Sequence, residues 1–255
     1  MFAVIDKPRS PKEYNGLPGI MEADAAIKPL LRPLDQLVDH GSEVCRSTPF
    51  ARGEVGAFLL HKHWEVQEGE CMIERPGCHP SGKPALIASA QRFPRPSTVA
   101  PSRFKVDPQR RALVALEFSS DQFVVQVWRA LLAHPPFLES ACRLIGDSGL
   151  ADQVGFAIFA RAAVPVVEGE EMVEENWNHR SMLSAQVLVE DDEQTVVVPT
   201  GWAFVSESEA DLTASSCIAY CMLFAGVHCS HHYNRPETLP ERLTVAPPPV
   251  CTLHD

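Results

Sequence analysis

The sequence predicts an α+β protein made of two related half-units. Each unit is a helix followed by mainly antiparallel strands, with Pro-rich tails at both ends. Three observations carry this expectation. First, "VGAFLLHKHWEVQEGECMIE" from Val55 and "VGFAIFARAAVPVVEGEEMVE" from Val154 share a Val-Gly start, an apolar run, a Glu-Gly-Glu turn, and then Met and Glu. Second, "TVAPSRFKV" from Thr98 parallels "VVVPTGWAF" from Val196, with Pro101 opposite Pro199 and Phe104 opposite Trp202. The offsets agree at 98–100 residues, the mark of an internal repeat. Third, a helix signal precedes each Val-Gly segment.

The chain has 255 residues, of which 45% are apolar and 22% charged. A core can therefore form without disulfide staples. The formal charge of −11 argues against a nucleic-acid binder or an anionic-membrane dock, since both need a basic face. The lack of an export signal or a long apolar run predicts a cytoplasmic protein with no membrane span. In that setting the eight cysteines are expected to stay reduced. The expected partner is an unknown small molecule or protein.

The Pro-rich start, residues 1–27, reads as an extended tail, as does the end, residues 234–255. The first unit spans 28–120 and the second 121–233. In "RPLDQLVDHG", Pro33 opens a helix, Leu34, Leu37 and Val38 share a face, and Gly41 ends it. In "PPFLESACRLIGDSG", Pro135 and Pro136 lead in, Leu138, Cys142 and Ile145 recur at helical spacing, and Gly146 closes. "DQFVVQVWRALLAH" reads as a helix that links the units, with a strand as the alternative for its Val-rich start. "ALIASAQ", "RALVALEFS" and "AQVLVE" read as further strands.

Two clusters are able to carry chemistry. In "LLHKHWEVQEGE", strand alternation puts Leu59, His61, His63 and Glu65 on one face. Two imidazoles two residues apart, about 6.6 Å along the backbone, can converge on one ion. Glu68 or Glu70, folding back at Gly69, would complete two histidines and a carboxylate, a set that suits non-haem iron or a similar ion. The second unit has Ala160 and Ala162 opposite these histidines, so the strand does not require them. The alternative is a solvated or hydrogen-bonded His pair.

The other cluster is "CIAYCMLFAGVHCSHHY". On a helix, Cys217 and Cys221 stack on one face, and His228 and His232 repeat the same spacing. Two thiolates and two imidazoles are what a tetrahedral Zn²⁺ prefers. The alternatives are a cysteine-rich core segment followed by a loop, or a thiol protein using Cys229. Acidic runs such as "EGEEMVEE" read as solvated faces. Nucleotide-binding fingerprints are absent, so no nucleotide cofactor is expected.

His61, His63 and Glu68 fit the spacing of the first cupin motif, and this stretch resembles it over about fifteen residues. The likeness stops there, because Ala85 and Phe204 stand where the second motif needs histidine. In order of features, from a helix through "LLHKHW" to "WAF" and then Cys-x3-Cys, residues 30–233 resemble a group of uncharacterised fungal proteins. That resemblance implies a cytosolic setting and no particular activity. Two functions stand as expectations: a zinc-binding accessory protein built on the C-terminal cluster, and a metal-dependent enzyme of small-molecule metabolism built on His61 and His63.

Overall fold

The structure, a computed structural model, describes residues 2–8, 10–46, 54–94, 98–159, 163–167, 170–177, 180–186, 195–204 and 217–224. In chain order the elements are β1 (Ala3–Ile5), α1 (Pro11–Asn15), α2 (Ile20–Ile27) and α3 (Leu31–Arg46). Strands β2 (Val55–Leu59), β3 (Glu70–Cys78), β4 (Pro84–Arg92), β5 (Ala100–Asp107) and β6 (Ala112–Ser119) follow. Helices α4 (Gln122–Leu132) and α5 (Pro135–Asp147) lead to β7 (Val154–Ile158), β8 (Glu171–Trp177), β9 (Arg180–Gln186), β10 (Thr195–Ala203) and β11 (Cys217–Phe224). The protein is α+β. No helix among the described residues is long and apolar enough to cross a membrane.

All described strands belong to one sheet, and all of them but β1 form a closed ring in the order β6-β3-β4-β9-β8-β11-β10-β2-β7-β5, with β5 pairing back to β6. Closure removes the exposed edges that would template aggregation. Strands of the two expected units interleave within this ring, in runs of one to four. β2 pairs with β7 and β10, and β4 pairs with β9.

The pairings of β2–β6 recur in β7–β11. β3 runs antiparallel to β4 and parallel to β6, as β8 does to β9 and β11. Bulges flank Arg103 in β5 and Gly201 in β10. Each Val-Gly start has the same cause. A Cβ at Gly56 would collide with the Trp202 carbonyl oxygen, and one at Gly155 with the Phe104 carbonyl oxygen. Only glycine lets the neighbouring backbone approach that closely.

Helices α3, α4 and α5 cover one face of β2 and β7. Leu34, Leu37, Val38, Trp128, Leu131, Leu138 and Ile145 pack there with Val55, Leu59, Phe156 and Ile158. Asp121 caps α4, accepting hydrogen bonds from the Phe123 and Val124 amides. The alternate residues of the same strands, Phe58 and Ala157, turn the other way and pack with Tyr14, Leu17, Leu60 and Met72.

Three expectations need correction. Residues 1–27 are not a loose tail where described: they form β1, α1 and α2, and bury Tyr14, Ile20, Ala23 and Ile27. Proline there opens α1 rather than preventing order. Gly41 and Gly146 do not end their helices. α3 continues to Arg46, and Gly41 is the point where the Phe204 ring presses on the helix. Cysteines 45, 71 and 142 are buried free thiols, but Cys78 is disulfide-bonded, so the set is not wholly reduced. The C-terminal tail lies outside the described residues.

Candidate metal centre

β2 ends at Leu59, so His61 and His63 lie just beyond the strand rather than in it. Hydrogen bonds fix the segment that carries them. The Leu60 amide donates to the Gln153 carbonyl at 2.8 Å, and the Lys62 amide to the Pro18 carbonyl at 3.0 Å. Asn15 clamps Val66 from both sides: its Nδ2 donates to the Val66 carbonyl at 3.0 Å and its Oδ1 accepts the Val66 amide at 3.0 Å. The result buries both histidines, His61 to 2% exposure and His63 to 4%, with their rings edge to face at 4.8 Å. Glu65 stays at the surface, ion-paired to Lys62 at 2.6 Å.

Strands from around the ring point polar groups at these histidines. Register puts Met72 and Glu74 of β3 beside Glu117 and Ser119 of β6, and Arg103 of β5 beside Glu117. Glu174 comes from β8, with the Ser181 hydroxyl of β9 donating to its Oε1 at 2.5 Å. Strands so far apart in the pairing order can meet only across the interior of the ring.

The two imidazoles are anchored alike. His61 Nδ1 donates to the Leu59 carbonyl at 2.8 Å. His63 Nδ1 sits 2.7 Å from Glu117 Oε1, which also accepts the Tyr14 hydroxyl at 2.7 Å. A histidine that donates through one nitrogen to a carbonyl or carboxylate presents the other as a ligand. In His61 that other nitrogen, Nε2, is buried with no hydrogen-bond partner. A buried polar atom left unmatched costs about 1–3 kcal/mol, and native proteins rarely carry one without a use.

His63 Nε2 has the opposite difficulty. Glu174 Oε1 lies at 2.9 Å and Arg103 Nη1 at 2.8 Å. A protonated Nε2 suits the carboxylate and opposes the guanidinium. A lone pair suits the guanidinium and opposes the carboxylate. A cation shared by the ring nitrogen and the carboxylate would take the proton's place and meet the same guanidinium, which also pairs with Glu117 at 3.2 Å.

Charge organises the rest. Burial pulls the His63 pKa down, but Glu117 and Glu174 outweigh it and raise it to about 9. Burial, then the neighbouring His63, lowers His61 to about 4. Against the push of burial, His63 and Arg103 hold Glu117 at about 2, and His63 holds Glu174 well below the usual range. Glu74 is pushed up to about 7 by burial, with Arg103 opposing.

One donor atom each from His61, His63 and Glu174 lies within 4.8 Å of the others, so this buried group could hold a metal ion. The carboxylate is not the expected one, since Glu68 is exposed and Glu70 accepts the Gln67 amide at 2.9 Å. Glu174 stands in the "EMVEE" run that reads as a solvated face. The missed signal is strand alternation, which places Glu174 on the same face as Met172.

The Cys/His cluster fares differently. Cys217 and Cys221 lie on strand β11, not on a helix. Four residues of strand span about 13 Å, too far for the stacked ligand pair that the helix would have given. The apolar run "CIAYCMLF" fits either element, and pairing with β10 and β8 decides for the strand. His228, Cys229 and His232 lie outside the described residues, as do Ala160 and Ala162. Cys71 is a buried thiol pushed by burial up to about 12. No family model, curated protein or solved structure matches the chain.

Proposed function

We propose that the protein is a metal-dependent enzyme of small-molecule chemistry, with His61, His63 and Glu174 as ligands. The observation that carries this reading is the orphaned His61 Nε2, buried beside a second imidazole and a carboxylate. Two histidines and one carboxylate suit Zn²⁺ or Fe²⁺, and three protein ligands leave positions for water or substrate. When bound, such an ion supplies a Lewis acid and lowers the pKa of a coordinated water. Glu117 holds the Nδ1–H side of His63, so that Nε2 faces the centre and would give up its proton to the ion, and the Tyr14 hydroxyl holds Glu117 in turn. Ser181 steadies the Glu174 carboxylate. The matched pairings of β2–β6 and β7–β11 further support descent from one duplicated unit, with the histidines added to the first copy.

The test is metal content of purified protein after dialysis against micromolar Zn²⁺ or Fe²⁺. One ion per chain is expected, and none in His61→Ala, which should stay folded because it lies at the edge of the charged network. Wild-type protein that takes up no stoichiometric ion would sink the proposal.

A further inference from the structure

The loop that carries the histidines is held by one short stretch of chain, residues 14–18. The Tyr14 hydroxyl accepts the His63 amide at 3.2 Å and donates to Glu117 Oε1 at 2.7 Å. Asn15 makes its two side-chain bonds to Val66, and its carbonyl accepts Lys62 Nζ at 3.3 Å. The Pro18 carbonyl accepts the Lys62 amide. These bonds reach Lys62, His63 and Val66, before and after the second histidine. The Leu60 amide, nearer β2, is held separately by Gln153.

The stretch is anchored beyond its two ends and lightly packed between them. Before it, β1 pairs with β6, and after it, α2 buries Ile20, Ala23 and Ile27. Of residues 11–18 only Tyr14 and Leu17 are buried, and α1, with five residues, is too short to be stable alone. A cleft of about 270 Å³ is lined by Gly16, Leu17 and Pro18 together with Leu60 and Gln153. It therefore borders both the stretch and the residue that precedes His61. Segments with few buried apolar contacts open at lower free energy than core strands. The strands of a closed sheet part only when their ladders break.

Resting on the metal centre proposed above, we infer that residues 14–18 form a latch, which opens while the sheet stays intact and admits an ion to His61 and His63 from the cleft beside Leu60. Opening breaks the bonds to Lys62, His63 and Val66 together. β1, α2 and the strands of the ring keep their places.

Site-resolved hydrogen exchange on full-length, metal-free protein reads the opening directly. The Lys62, His63 and Val66 amides should exchange together, about 10-fold or more faster than the ladder amides of β6. Their rates should also depend less on urea, because latch opening exposes less surface than unfolding. Equal rates and equal urea dependence overturn the latch. A second arm follows release of Co²⁺ to a chelator. Asn15→Ala removes both bonds to Val66 and no proposed ligand, so it should still bind one Co²⁺ and release it about 10-fold faster. An unchanged release rate also overturns the latch. If Asn15→Ala does not fold, the exchange pattern of wild-type protein decides. Wild-type protein that takes up no Co²⁺ overturns the metal centre, and the exchange pattern then decides the latch alone.

Discussion

Strands β2–β6 and β7–β11 make the same pairings and carry different cargo. Glu74 and Glu174 occupy matching places, each opposite the strand that runs parallel to it. At the next matched pair the side chains differ. Arg103 faces Glu117 across the bulge in the first set, while Gly201 faces Ala219 in the second. The same pairing is thus made with small neutral residues in the second set. What the first set adds is a cation, an anion and two imidazoles, assembled around a carboxylate borrowed from the second.

That contrast is sharpest at Glu117. Glu117→Ala copies the residue of the matching position, yet it should destabilise the protein by about 3–5 kcal/mol, because it strands Arg103 and His63 as buried charges. Adding Arg103→Gly, which copies Gly201, should recover part of that loss. Urea denaturation of the single and double variants measures the coupling. Strictly additive losses would show that the two charges do not depend on each other.

The glycines test what both sets share. Gly56→Ala and Gly155→Ala each push a Cβ into a backbone carbonyl, of Trp202 and Phe104 respectively. Carbonyls within a closed sheet cannot swing aside as side chains do. Each substitution should cost about 1–3 kcal/mol, and the two costs should be similar. A large difference in denaturation midpoint between them would break the equivalence of the two strands.

Much of this was legible in sequence because it is local. The α3, α4 and α5 helices follow from spacing and caps, and the Val-Gly strands from their repetition. The His pair stood out for the same reason. Closure of the sheet was not legible, because it depends on pairing between β5 and β6 at one join and β4 and β9 at another. Glu174, Glu117 and Arg103 were hidden with it: each looks like an ordinary strand polar residue until the ring turns it inward. Cys217 and Cys221 misled for the converse reason. Their spacing implies a helix face only if the segment is a helix, and its strand partners lie elsewhere in the chain.

The two histidines should oppose each other in pH. His63 is raised to about 9, so its stabilisation is complete below the unfolded value near 6.5 and is lost as pH rises through 9. His61 is lowered to about 4, so the unfolded chain takes the proton first. Its contribution to stability therefore falls as pH drops from about 6.5 toward 4. Glu74, raised to about 7, acts in the opposite sense between about pH 4.5 and 7, so the metal-free protein should hold a plateau of stability from about pH 4.5 to 6.5 and lose it on both sides. Thermal melts across pH 4–9 measure this. A monotonic profile in wild type would contradict the opposed pair, and in His61→Ala stability should instead rise as pH falls from about 7 to 4.5, because Glu74 is then uncompensated.

The smallest effect is expected at His61 itself. His61→Ala removes one hydrogen bond, to the Leu59 carbonyl, and leaves a cavity, both of which cost stability. It also removes a buried nitrogen that has no partner, which returns roughly 1–3 kcal/mol. These contributions have opposite sign, so the metal-free variant should lie within about 1 kcal/mol of wild type in urea denaturation. His63→Ala, by contrast, leaves Glu117, Glu174 and Arg103 without their shared partner and should cost several times more. Two histidines of equal burial would then differ in what they do for the fold while failing alike to retain a metal ion. If His61→Ala instead costs as much as His63→Ala in the metal-free state, His61 is a structural member of the network and the orphaned nitrogen does not mark a ligand.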